Sequence, residues 1–321
     1  MIEEKTVIIL GAGSGKPFGL PTGEDLSREI SFDFRDHFIE FMDKFHGEDY
    51  VYRDKILLDS QKLVYSFSRS TLTIDSFLSI NPALKEIGKL AILHRIMLSE
   101  NKSKLPWENR KNSPDWFLPL FRTMIADISN ETGITRFGNN KVSFITFNYD
   151  RLLEYVLFEN LRNSYPEASR SDIIEQLIQI PMVHVYGKIS DLPWQSQNGY
   201  DYKHIFDFNT LFKMSENIFT IDEQKFTETI KYTHELIEKA NRIFFLGFGY
   251  IPENLKNLEL PNILQSKHIV IGTAYKASEK KINDLKEIFI TTNRGSKPGG
   301  VDPGNAHILN LDCNDLLIDW L

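Results

Sequence analysis

Cysteine is nearly absent: Cys313 is the one thiol in 321 residues. It closes no internal disulfide and builds no four-cysteine zinc ribbon, which points to a reducing compartment and a fold without structural zinc. Positive charge is not in excess either. The 37 Lys and Arg against 44 Asp and Glu leave a formal net charge of -7, which disfavours a dedicated nucleic-acid binder, because neutralising phosphates takes a basic face. No apolar run approaches the ~20 residues that a bilayer demands. The opening Met1-Ile2-Glu3-Glu4-Lys5 lacks the basic start and apolar stretch of an export signal. The expectation is a cytoplasmic protein that binds no membrane. His37, His46, His94, His204, His234, His268 and His307 show no pairing at ligand spacing, so no metal site is expected.

What is present is a globular composition, 41% hydrophobic and 12% aromatic, long enough for one large α/β unit or two domains. Thr6–Leu10 reads as a buried strand opening into Gly11-Ala12-Gly13-Ser14-Gly15. Thr22 with Asp25 three residues on signals the start of a helix near Glu24–Ile30. From Phe32 to about Gly133 the spacing becomes helical. Phe38, Met42 and Phe45 share a face, as do Leu84, Ile87, Leu90, Ala91 and His94, and Phe117, Leu120, Phe121, Met124, Ile125 and Ile128.

Strands are then expected at Val142–Phe147, Pro181–Tyr186, Ile243–Leu246, His268–Ile271 and His307–Leu311. Helices are expected at Arg151–Leu161, Ser171–Ile180, Glu223–Ala240 and Ser278–Ile288. This alternation predicts a Rossmann-like α/β fold: a mostly parallel sheet with helices on both faces and a large helical insertion after the first βα unit. The expected domains are residues 1–31 with 134–321 as the sheet unit and 32–133 as the inserted helical module. Thr292–Ala306, rich in Gly and Pro, reads as a long loop, functional or disordered.

Each of five polar or glycine motifs falls at the carboxyl end of an expected strand: Gly11-Ala12-Gly13, Asn148-Tyr149-Asp150, His184-Val185-Tyr186-Gly187, Gly247-Phe248-Gly249 and Gly272-Thr273. That edge of an open α/β sheet is where ligands bind, so their convergence predicts a nucleotide-type pocket. Two familiar fingerprints fail in the first loop. A Walker loop needs glycine where Leu10 stands and Ser or Thr where Pro17 stands, and the dinucleotide pattern needs glycine at Lys16. Backbone approach to phosphate remains one reading of the loop, and a tight βα turn without ligand is the other. Asn148 and Asp150 could equally turn the chain and cap the following helix. His184 could be a hydrogen-bonded core histidine. Period two places it on the same strand face as Tyr186.

Together these motifs resemble the sirtuin-like superfamily, in particular its bacterial branch of NAD-hydrolysing anti-phage effectors. The resemblance is carried by Gly11–Ser14 with Gly19–Gly23, Thr73-Ile74-Asp75-Ser76-Phe77-Leu78, Phe144–Asp150, His184–Gly187, and Phe245–Gly249 followed by Asn254-Leu255. It implies a pocket that takes NAD as substrate, with Asn148 as the catalytic asparagine and Asp150 seating the nicotinamide end. Sirtuin deacetylases carry a four-cysteine zinc module after the histidine motif, whereas Lys188–Asn217 holds no cysteine, which argues against acetyl-lysine chemistry. The family histidine directly precedes the glycine; here Tyr186 precedes Gly187, and His184 lies two residues earlier.

On this resemblance the expected activity is NAD glycohydrolysis to nicotinamide and ADP-ribose. Asn148 would hold water or a ribose hydroxyl and His184 would act as general base. Gly11, Ala12, Gly13 and Ser14 would take the pyrophosphate, and Gly247 and Gly249 would admit the ribose. Thr22, Tyr186, Gly187, Asn254 and Thr273 complete the expected cofactor-binding set. A homo-oligomer, or a HerA-type ATPase or Argonaute partner, would hold the activity in check. The alternatives are a silent NAD or ADP-ribose sensor and an assembly subunit with a vestigial pocket.

Overall fold

Along the first strand, β1 (Thr6–Leu10), Val7 and Ile9 face one hydrophobic core while Ile8 and Leu10 face another. Period-two alternation with apolar residues on both sides means that the strand must be covered on both faces. The computed structural model describes residues 1–32, 34–44, 50–108, 115–128, 133–220, 223, 227–290 and 299–321. Five further strands follow: β2 (Val142–Thr146), β3 (Met182–His184), β4 (Arg242–Leu246), β5 (Ile269–Thr273) and β6 (Ala306–Leu309). They form a six-stranded sheet in the order β3-β2-β1-β4-β5-β6, every pairing parallel. This is the strand order of the doubly wound nucleotide-binding folds.

Between β1 and β2 run α1 (Gly23–Phe32), α2 (Phe34–Lys44), α3 (Tyr50–Phe67), α4 (Ile74–Ile80), α5 (Lys85–Lys102) and α6 (Phe117–Ile125). The later helices are α7 (Leu152–Ser164), α8 (Arg170–Leu177), α9 (Phe208–Met214), α10 (Thr227–Lys239), α11 (Pro252–Asn257), α12 (Glu279–Phe289) and α13 (Cys313–Trp320). One core joins Val7, Ile9 and Phe245 to residues of α1–α5 and α9–α12; the other joins Ile8, Leu10 and Phe144 to α6, α7, α8 and α13. Helices therefore cover both faces. Helix α1 and the helices α2–α5 that follow it share their core with one face of the sheet.

Most expected elements fall within a few residues of their observed bounds. The strand ending at Tyr186 is shorter: β3 stops at His184, and Gly187, at φ 78°, turns the chain. Phe45 and residues 292–298 of the expected long loop lie outside the described residues. Of that loop, Val301 pairs with Ile290 and Pro303–Asn305 form a 3-10 turn. Among the described residues no helix is long and apolar enough to cross a membrane.

Register decides where the site forms. Leu10 lies level with Thr146 on one side and with Leu246 on the other. Gly11, Phe147-Asn148 and Gly247 therefore leave the sheet side by side, where the chain switches from the β2 side of β1 to the β4 side.

Candidate functional site

The glycines at this junction serve chain-to-chain packing first. A Cβ on Gly11 would lie 2.6 Å from the Gly247 carbonyl oxygen and 2.7 Å from the Phe248 Cα. One on Gly13 would lie 2.8 Å from the same oxygen. Gly247 sits at φ 57° against the backbone of Gly13 and Ser14, and its N–H donates to Thr273 Oγ1 (2.9 Å). The amides of Gly11, Gly13 and Ser14 donate to Leu246 O, Gly247 O and Gly11 O (3.0 Å each). Three of the four amides expected at a pyrophosphate thus already have protein partners, two at the β4 end and one, that of Ser14, within the first loop itself. Gly249 differs: a Cβ there meets nothing within 4 Å, so its backbone is open.

Over this junction lies a cavity of about 640 Å³. Gly11, Ala12, Gly13 and Thr22 line it from the first loop and helix. Asn148, Asp150 and Tyr186 line it from the β2 and β3 ends, and Gly247, Gly249 and Asn254 from the β4 end. The inserted module adds Thr73, Ile74 and Asp75. Thr22 opens α1 through a reciprocal cap: its hydroxyl receives the Asp25 amide (3.1 Å), and Asp25 Oδ2 receives the Thr22 amide (3.2 Å). A second cavity of about 440 Å³ lies beside the first, sharing Gly13, Lys16, Gly247, Phe248 and Tyr275 as walls. Thr273, Lys281, Cys313 and Asn314 line its far side.

Asn148 stands where these features meet. Its amide nitrogen reaches Ser14 Oγ at 3.4 Å, and Ser14 Oγ in turn donates to Gly11 O (2.8 Å). Its amide oxygen is buried without a hydrogen-bond partner, as is Oε2 of Glu154. A buried acceptor left unpaired costs about 1–3 kcal/mol. Both residues border a void of about 10 Å³, near the size of one water. Asp150, beside them, caps α7 by accepting the Leu152 amide (3.0 Å). Burial pushes its carboxyl up to about 7, against the Leu152 hydrogen bond and with help from the Glu100 charge. Across the cavity, Tyr149 donates its hydroxyl to Asp75 Oδ1 (2.8 Å). Enclosure raises the Asp75 carboxyl above its usual range and outweighs that hydrogen bond.

His184 faces away from the large cavity, behind Asn148. Its Nδ1 donates to the Asn148 carbonyl (2.9 Å) and its Nε2 meets Glu154 Oε1 (2.8 Å). Lys188 reaches the same Glu154 oxygen at 3.2 Å. Burial would raise the Glu154 carboxyl, but the His184 and Lys188 charges prevail and hold it well below the usual range. Both ring nitrogens are engaged by oxygens of the protein, and neither is presented to the large cavity. The shared strand face expected for His184 and Tyr186 is therefore not found: the strand ends between them. Tyr186 turns into the cavity instead, where its hydroxyl donates to Asn254 Oδ1 (2.6 Å). Gly187 borders neither cavity and works in the turn, bridged to Ile218.

Arg151 anchors the Asn148-Tyr149-Asp150 segment from below. Its amide and Nε donate to Glu100 Oε1 (2.9 and 3.2 Å), and its guanidinium reaches Glu100 Oε2 at 2.6 Å. Sequence reasoning assigned no role to Glu100, Arg151 or Glu154. A signal existed for Glu154: it is a carboxylate among Leu152, Leu153, Val156 and Leu157, all buried on α7. Among the described residues no group of three or more His, Cys, Asp or Glu is placed to hold a metal ion.

The sequence matches no family model and no curated protein. Among solved structures it is similar to one titled "Structural Basis for the Mechanism and Regulation of Sir2 Enzymes", at 12% identity and a TM-score of 0.40, over 98% of this chain and 90% of that one. Functional assignment therefore rests on the site and its motifs.

Proposed function

We propose that the protein cleaves NAD between nicotinamide and ribose, releasing nicotinamide and ADP-ribose. The observation that carries this reading is the pair of adjoining cavities, about 640 and 440 Å³, that meet over the Gly13–Gly247 contact with Asn148 on the wall of the larger. Each has the volume of a small-molecule site, and together they suit a dinucleotide lying across the loops at a switch point. The resemblance of the surrounding motifs to the sirtuin-like superfamily supports NAD as that dinucleotide. Its nicotinamide riboside half would occupy the larger cavity and its adenosine half the smaller, with Lys16 beside the pyrophosphate.

Departure of nicotinamide leaves an oxocarbenium-like ribose, as in glycoside cleavage. The site then has to orient water and stabilise positive charge. The unpartnered Asn148 oxygen would receive a hydrogen bond from a ribose hydroxyl or from that water. Asp150, whose carboxyl burial pushes up to about 7, would donate from its protonated form to the carboxamide of nicotinamide. His184 would act on Asn148 rather than on the substrate. A role in anti-phage defence, with the activity restrained by self-association or by a HerA-type ATPase or Argonaute partner, belongs to the same proposal.

The test is nicotinamide release from NAD by the purified protein beside Asn148→Ala, over a concentration series. Release that disappears in Asn148→Ala supports the reading. Binding of NAD without release by the wild type would replace it with the sensor reading. Phage plating on bacteria that express either form tests the defence role; equal protection by both would remove it.

A further inference from the structure

The large cavity poses a question of proton transfer. Hydrolysis needs a group that takes the proton of the attacking water, and among the described residues no histidine lines this cavity. The Tyr186 hydroxyl donates to Asn254 and accepts from Asn257 Nδ2 (3.1 Å), and burial raises its pKa. The Tyr149 hydroxyl is donated to Asp75. The Asn148 and Asn254 amides have no useful proton affinity. That leaves three carboxylates, Glu24, Asp75 and Asp150.

They are not equivalent. Glu24 is exposed at the outer edge, in the first turn of α1. Asp150 is only 8% exposed, commits Oδ1 to the start of α7 and also borders the small void behind Asn148. Asp75 is half-buried and is brought to the cavity by α4. It is not needed to cap that helix, since Thr73 already receives the Ser76 amide (3.3 Å). Its Oδ1 is fixed by a tyrosine from the rim segment that carries Asn148, while its carboxylate remains part of the cavity wall.

Resting on the NAD-cleavage reading, we infer that Asp75, delivered by the helical insertion, is the general base of the reaction, and that Tyr149 is its positioning residue. The C1′–N1 bond breaks with its electron pair going to nicotinamide nitrogen, which becomes neutral. Water oxygen then bonds to C1′, and its proton passes to the Asp75 carboxylate and on to solvent. The insertion thereby completes the catalytic site that the sheet begins.

The experiment compares wild type, Asn148→Ala, Asp75→Asn, Asp75→Ala and Tyr149→Phe for nicotinamide release, with ADP-ribose affinity by calorimetry and thermal melting as controls. The expected result for Asp75→Asn is a kcat lowered about 100-fold or more, with ADP-ribose affinity and melting close to wild type. Formate should restore part of the turnover of Asp75→Ala, a readout that a merely structural role would not move. Tyr149→Phe should lower kcat less than Asp75→Asn. Release that survives Asp75→Asn yet is lost in Asn148→Ala overturns the assignment of Asp75 alone. Absence of release by the wild type overturns this inference and the NAD-cleavage reading together.

Discussion

His184 holds Asn148 by its backbone: the imidazole Nδ1 donates to the Asn148 carbonyl at 2.9 Å, while Nε2 is fixed by Glu154 at 2.8 Å. The side chain that the sequence suggests as a base is thus a bracket for the asparagine beside it. Glu154 and Lys188 hold the bracket in place, and the Glu154 side chain is 1% exposed.

Substitution of His184 should separate bracket from base. His184→Gln is expected to lower kcat for nicotinamide release several-fold while leaving the shape of its pH profile unchanged. Loss of one ionisation from that profile would restore His184 to proton transfer. Tyr186→Phe, which removes the bond to Asn254, should raise KM more than it lowers kcat, as measured by initial rates over a range of NAD concentrations.

The Glu100–Arg151 pair should dominate the stability of the rim. Its side chains are 1% and 0% exposed, so removing one partner strands a buried charge at a cost of about 3–5 kcal/mol. Glu100→Gln is expected to lower the midpoint of urea unfolding and to weaken ADP-ribose binding. A midpoint equal to wild type would show that the pair contributes nothing net.

Gly247 and Gly249, two residues apart in one motif, should respond differently to alanine. Gly247→Ala forces a Cβ into the Gly13–Ser14 backbone at φ 57° and is expected to cost about 2–5 kcal/mol. Gly249→Ala places its methyl in open space and should fold like wild type, while Gly249→Leu should raise KM by narrowing the cavity. Thermal melts of the three variants check the order. Equal melting of Gly247→Ala and Gly249→Ala would refute the packing argument.

The fold was legible because its signals are local. Val7, Ile8, Ile9 and Leu10 declare a strand buried on both faces, and Thr22 with Asp25 declares a helix start. The rim was legible too, since motifs at strand ends must emerge together once a parallel sheet is in register. What a single strand cannot disclose is where it ends. The break after His184 comes from the Gly187 turn and its bridge to Ile218, a contact across 31 residues of sequence, and it sends His184 and Tyr186 to different neighbours. Asp75 was legible only as part of a motif. Its meeting with Tyr149 depends on the packing of the insertion, 74 residues away along the chain.

The pH dependence of stability should carry opposite signatures from two buried carboxyls. Glu154, held below its ordinary value of 4.5, contributes stability that is present above that value and is lost only in acid. Asp150 is the reverse. Its folded value of about 7 lies above the ordinary 3.8, so its contribution is complete below about 4 and is lost as pH rises through 7, where folding must bury a carboxylate. Asp150→Asn keeps an oxygen for the α7 cap and removes that penalty. The variant should come closest to wild type in urea unfolding near pH 4 and exceed it by on the order of 1 kcal/mol or more at pH 8, with nicotinamide release impaired throughout. A stability difference that stays constant across this range would mean that Asp150 is ionised in the folded protein at neutral pH. The proposed hydrogen bond from its carboxyl to the carboxamide of nicotinamide would then be lost.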